Sequence, residues 1–158
     1  MSDALRRIDR AWKLAVLLAA CLAAAPPRVA AAADLDSPIG EWRTIDDNTG
    51  KPKGIVKIFE QGNKLYGAVV KSLVPTPPNP VCVACTDDRK GQPIIGLQFI
   101  RGLTKDGDHW DGGTILDPET GKIYSCRLTL EDGGRKLAVR GYFAALFMGR
   151  TQVWDRVE

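Results

Sequence analysis

The stretch WDGGTILDPETGKIYSCRLTLEDGGRKLAVRGYFAALF, from Trp110 to Phe147, reads as strand, turn, strand, turn, strand. Asp117-Pro118-Glu119-Thr120-Gly121 and Asp132-Gly133-Gly134 punctuate it, and no interval between them has the length for a helix. Strands joined in this way make an antiparallel meander. A chain built like this must dispose of two open sheet edges, and in one small domain the usual solution is closure into a barrel. The interior of such a barrel is either packed or a ligand cavity.

Outside this stretch the same grammar continues. Asn48-Thr49-Gly50, Gln61-Gly62-Asn63 and Asp106-Gly107-Asp108 are further turn signals. Between the turns lie apolar, β-branched and aromatic runs: Glu41–Ile45, Gly54–Phe59, Lys64–Leu73, Ile94–Leu103, His109–Leu116, Lys122–Leu130, Lys136–Phe147 and Arg150–Val157. Eight such segments with hairpin-length connections predict a single antiparallel up-and-down β-barrel, an all-β fold. The one long connection, Val74–Pro93, carries five prolines and the pair Cys82 and Cys85.

Period two assigns faces to some of these segments. Tyr124, Cys126, Leu128 and Leu130 share one face, with Ser125, Arg127 and Thr129 on the other. Leu137, Val139, Gly141, Phe143 and Phe147 align opposite Lys136, Arg140 and Tyr142. Ile95, Leu97 and Phe99 line up opposite Gln98. Both faces of Lys64–Leu73 are apolar, so alternation does not orient that strand.

The first 33 residues have a different character. Arg6, Arg7, Arg10 and Lys13 precede the apolar run LAVLLAACLAAA at Leu14–Ala25, and Ala31-Ala32-Ala33 supplies a small-residue cleavage site. The run has the length of a secretory core and is too short to span a bilayer as a stable anchor. Residues 1–33 are read as a signal peptide, cleaved before a domain of residues 34–158, in the periplasm or secreted. The alternative is a lipobox, Leu18-Ala19-Ala20-Cys21, with a lipid anchor on Cys21; against it, the apolar run continues past the cysteine. The leader takes five basic and two acidic residues with it, which leaves 17 of each sign in the remainder. That balance, without a like-charged run, argues against a nucleic-acid partner.

Several separated motifs carry a resemblance: Gly40-Glu41-Trp42, the Cys82–Cys85 pair followed by PIIGL, WDGGTILDPETGKIYSC, LAVRGY and GRTQVWDRV. Together they resemble domain-of-unknown-function family 2147, small secreted bacterial proteins, from about Ile39 to Val157. The resemblance implies a lipocalin-like barrel with an interior cavity and brings no agreed biochemical activity. Lipocalins place a G-x-W on the first strand, whose indole packs under an arginine from the last strand. On that resemblance Trp42 and Arg156 are structural and close the barrel bottom by cation–π stacking, with Arg150 as the alternative partner. The other short lipocalin motifs are lacking.

The residues that could carry chemistry each have a structural explanation. Cys82 and Cys85 in a proline-rich loop of an exported protein read as a disulfide; a redox pair would want a helix N-terminus. Cys126 has inward parity and reads as a buried thiol. A zinc set of Cys82, Cys85, Cys126 and His109 lacks the spacing of known zinc modules. Asp106, Asp108 and Asp111 miss the calcium-loop spacing, and turn chemistry accounts for them. His109, the single histidine, has no nucleophile motif to serve. Asp117 and Glu119 read as turn residues. Neither a metal nor a cofactor is expected.

Two functions follow. The first is a non-catalytic carrier of a small apolar or amphipathic molecule, walled by Tyr66, Phe99, Trp110, Tyr124 and Phe143 with Arg140 near the mouth. The parity of Arg140 favours the outer surface, however. The second is a cell-envelope interaction module with a filled barrel, whose loop Val74–Pro93 meets a protein partner.

Overall fold

The computed structural model describes residues 34–157; the predicted signal peptide and Cys21 lie outside the described residues. The described residues form eight antiparallel strands in a closed barrel, each paired with its sequence neighbours and the last with the first. They are β1 (Gly40–Ile45), β2 (Pro52–Gln61), β3 (Lys64–Ser72), β4 (Gln98–Asp106), β5 (His109–Leu116), β6 (Ile123–Glu131), β7 (Lys136–Phe143) and β8 (Ala145–Arg156). This is the up-and-down barrel expected from the turn spacing. No helix among the described residues is long and apolar enough to cross a membrane.

Two of the turns are chemically the same. In Asp46–Lys51 and in Asp117–Lys122 an aspartate is followed by threonine three places on and glycine four places on. Each aspartate side chain accepts the threonine hydroxyl, at 2.9 Å from Thr49 and 2.8 Å from Thr120. Each glycine N–H donates 2.8 Å to the aspartate carbonyl, and each aspartate N–H donates 2.8 Å to the lysine carbonyl. Gly50 and Gly121 sit at φ +67° and +71°, where a β-carbon would be strained. Both turns lie at the same end of the barrel, called here the mouth, with the Ser72–Gln98 loop and the β7–β8 turn.

Strand boundaries depart from expectation in two places. Ile94–Leu97 is loop and not the start of β4, because Gly96 (φ +90°) turns the chain there and its N–H donates to Val69. Ile95, expected inward, is consequently 48% exposed. The β7–β8 turn falls at Ala144, which takes a positive φ of 60°, so Phe147 belongs to β8. Gly149 lies within β8. It pairs with Tyr142, where an added β-carbon would come 2.4 Å from the Gly141 carbonyl.

Candidate functional site

Opposite the mouth, the barrel is shut by its own first and last strands. The Arg156 guanidinium lies 4.3 Å from the centroid of Trp42. It also donates to three backbone carbonyls: Gly134 at 2.7 Å, Ser37 at 2.7 Å and Ile39 at 3.1 Å. The Trp42 indole N–H donates 2.8 Å to Pro38. Residues 34–39 are thereby held as a strap across the closed end. An added β-carbon on Gly134 would come 2.0 Å from the Leu35 carbonyl, so that glycine is needed for the strap to lie close. Arg150 is not the partner of Trp42; it forms an ion pair with Asp47 at the mouth.

From the closed end upward the interior is packed. Trp42, Ile58, Leu65, Leu103, Leu128, Leu137 and Trp154 are buried, and so are Val56, Ile100, Cys126 and Val139, with Trp42 paired to Val56 and Leu128 to Val139 across their ladders. An added β-carbon on Gly67 would meet Ile58 and Ile100 at 3.0 Å. The register shift between β3 and β4 turns Phe99 and Ile100 both inward, and Phe99 reaches within 6.2 Å of the Trp154 ring. A cavity running the length of the barrel has no room here.

The packing loosens at the mouth. Val69, Ile115, Tyr124 and Gly141 are only half-buried, although they continue the inward rows. An added β-carbon on Gly141 would contact Ile115 at 3.4 Å and Tyr124 at 3.7 Å, so these three half-buried residues pack together at the mouth. A polar chain leads from the core to the mouth. Trp154 Nε1 donates 3.1 Å to the Gln152 side chain, which donates 2.6 Å to Asp47, which pairs with Arg150. The rim is apolar too: Phe143 is 66% and Met148 54% exposed.

Of the residues expected to line the barrel, Phe99 and Trp110 are inside but belong to its packed part, Trp110 near the closed end. Tyr124 lies half-buried at the mouth, and Phe143 is exposed there. Tyr66 and Arg140 do not line the interior. Tyr66 alternates with the buried Leu65 and Gly67 and stacks outside on Phe59, with ring centroids 6.0 Å apart. Arg140 alternates with Val139 and Gly141, faces Arg127 across the β6–β7 ladder, and donates 2.9 Å to Thr151. Sequence reading missed Asp47 and Gln152. Gln152 shares parity with Trp154, but Asp47 arrives from a turn, and no period reaches it.

Cys82 and Cys85 form a disulfide and are both buried. Their loop packs beside the mouth: an added β-carbon on Gly121 would come 1.9 Å from the Ala84 carbonyl. Arg89, 2% exposed, anchors the loop by donating to Asp87 and to the Gln98 carbonyl. The Arg89 hydrogen bond holds the Asp87 carboxyl down at about 2. Cys126 is a free thiol inside the barrel, pushed up to about 12 by burial and then by the Asp111 charge. It is therefore inert as a nucleophile in the folded chain. His109 pairs with Asp108 at 3.0 Å at the closed end. The described residues bring no three His, Cys, Asp or Glu side chains together in a metal-binding group.

The family model DUF2147, described as an uncharacterized protein conserved in bacteria, matches residues 40–156. Among solved structures the chain is similar to protein HP1028 from the human pathogen Helicobacter pylori, described as belonging to the lipocalin family. The likeness has a TM-score of 0.67 at 20% identity and covers 77% of this chain and 84% of that one. At this identity the likeness is one of fold. No curated protein matches the chain.

Proposed function

The chain belongs to the DUF2147 family, and from that premise we propose that it is an exported, non-catalytic barrel binding a small hydrophobic or amphipathic molecule at its mouth. The observation that carries this reading is that the inward rows, buried lower down, are only half-buried at the mouth, at Val69, Ile115, Tyr124 and Gly141. Apolar surface left half-covered inside the mouth is surface that a ligand's apolar end can cover. The ligand therefore inserts one apolar end, against Tyr124 and Ile115, and leaves its other end at Arg150 and Asp47. A polar head there exchanges hydrogen bonds with an ion pair already in water, which makes the anchoring term small. Most of the affinity comes from the apolar end. The buried disulfide supports an oxidising compartment, in keeping with the leader-like first 33 residues.

A second reading is favoured by the packed lower barrel and by Val83, 78% exposed at the tip of the disulfide loop. In it the barrel is a scaffold and the loop contacts an envelope protein. Mass spectrometry of the protein recovered from a bacterial host, native and then denatured, separates the two. An adduct present natively and lost on denaturing supports the carrier and gives the ligand mass. A bare chain in both spectra, after incubation with lipid extracts, removes the carrier. The denatured mass also reads the N-terminus and any lipid on Cys21.

A further inference from the structure

We propose that the mouth end of the barrel docks on an anionic phospholipid bilayer, its loops inserting apolar side chains among the lipids while lysines between them meet the headgroup phosphates. The carrying observation is where the exposed apolar residues lie. Of the twelve large apolar side chains exposed among the described residues, eight are at the mouth, and Leu35 and Ile39 are at the closed end. Single apolar residues scattered over a surface are ordinary; their gathering at one end is not. The most exposed is Val83, at 78%, in the disulfide loop. Phe143 and Met148 follow at 66% and 54%, flanking the β7–β8 turn. Leu73, Val74 and Ile123 add to them from the Ser72–Gln98 loop and the start of β6.

Charge favours a bilayer over a protein partner. Four exposed lysines at this end, Lys51, Lys71, Lys90 and Lys122, have no ion-pair partner among the described residues. The carboxylates of this end are engaged. Asp47, Asp87, Asp88 and Glu119 pair with Arg150, Arg89, Arg101 and Lys53, and Asp46 and Asp117 accept the threonine hydroxyls of their turns. Six carboxylates thus meet eight basic side chains, which leaves the mouth net positive. At the closed end acids outnumber bases, even with the α-ammonium that cleavage before Asp34 would add. The lysines also sit among the apolar residues. Lys51 shares an open groove of about 540 Å³ with Leu73 and Val74. Lys122 precedes Ile123, and Lys90 precedes Gly91, whose N–H donates 2.9 Å to Cys82 beside Val83. Lysine is depleted at protein–protein interfaces, where its charge has to be desolvated. At a bilayer surface its stem lies against lipid and its ammonium stays at headgroup level. The net charge is small, so the apolar side chains hold the protein down and the lysines set the preference for anionic lipid. Docking mouth-down turns Ile115 and Tyr124 toward the membrane. A filled barrel would dock in the same way, so this inference does not rest on the ligand-binding reading.

The test is sedimentation of the recovered protein with vesicles of phosphatidylcholine alone and of phosphatidylcholine with about one-third phosphatidylglycerol. Binding to the mixed vesicles about tenfold tighter than to phosphatidylcholine is expected, weakening as salt rises. Phe143→Ser combined with Met148→Ser should lower it about tenfold. Lys90→Gln combined with Lys122→Gln should lower it by a similar factor. All four positions are exposed, so these variants keep the fold. Leu35→Ser, exposed at the closed end, should leave binding unchanged. Met148→Cys carrying an environment-sensitive dye should shift to the blue on the mixed vesicles, which a lipid on Cys21 would not by itself produce. Cys126 is buried and stays unlabelled. The inference is overturned if the protein does not sediment with the mixed vesicles, or if the dye shifts on neither vesicle type or alike on both. It is equally overturned if Leu35→Ser weakens binding as much as the Phe143 and Met148 pair, or if a soluble envelope protein and no vesicle occupies the mouth. Native mass spectrometry tests the mouth ligand separately, so either reading can fail alone.

Discussion

Replacing Arg156 with alanine should be the most damaging single change at the closed end of the barrel, and its size follows from the contacts. The guanidinium donates to Gly134, Ser37 and Ile39 and covers the Trp42 ring at 4.3 Å. A hydrogen bond from a charged donor contributes roughly 1.5 kcal/mol net, and the stacking about 1 kcal/mol. Those terms sum to roughly 5.5 kcal/mol if simply added. Water can reach Ser37 and Ile39 once the side chain is gone, so the expected loss is about 3 kcal/mol. For a domain of this size that corresponds to a fall in Tm of roughly 10 °C. Thermal and guanidine unfolding, followed by tryptophan fluorescence, would measure it. Arg156→Lys should recover little, since a lysine ammonium cannot meet three acceptors in one plane while lying over the ring. Arg150→Ala, whose side chain is 67% exposed, is the matched control and should change stability by less than about 1 kcal/mol. A cycle combining Arg156→Ala with Trp42→Phe isolates the stacking. An Arg156→Ala chain within about 0.5 kcal/mol of the parent would refute the view that this arginine holds strap and barrel together.

Four further outcomes are expected. Cys126 should resist alkylation at pH 8 in the folded protein and react at once in guanidine, because burial raises its thiol to about 12; rapid native labelling would contradict the packed interior. Reducing Cys82–Cys85 removes a small loop constraint, so it should cost about 2 kcal/mol and increase hydrogen exchange mainly in residues 81–93. The Asp87 carboxyl is depressed by Arg89, so its contribution is fully present above the ordinary carboxylate pKa and is lost as pH falls through about 2; carboxyl-resolved NMR titration should place its midpoint there, and a midpoint near 4 would break the assignment. Gly67→Ala pushes a β-carbon against Ile58 and Ile100 at 3.0 Å, and should destabilise by about 1–3 kcal/mol in denaturant unfolding.

The strand count, the antiparallel order and the turn chemistry were legible in the chain because each depends on residues a few places apart. Asp117 and Gly121 make their turn with one another, whatever the barrel does around them. The disulfide was legible for the same reason, with its two cysteines three positions apart. Tyr66 was misread because Lys64–Leu73 is apolar on both faces; only pairing with Phe59 shows which row lies outside. Strand edges near Ile94 and Ala144 were misplaced because a non-local bond from Gly96 to Val69, and a positive φ at an alanine, leave no trace in local composition.

By itself, then, the sequence determined that this protein is an antiparallel barrel with a disulfide in its long loop, since periodicity and turn residues are local quantities. Only the tertiary structure decided which arginine meets Trp42, that the lower interior is filled, and where the surface is left unpacked. Those are matters of volume and of distance across the barrel. Arg150 and Arg156 are six residues apart on one strand, yet lie toward opposite ends of the barrel. Closure alone sends one to Asp47 and the other to Trp42.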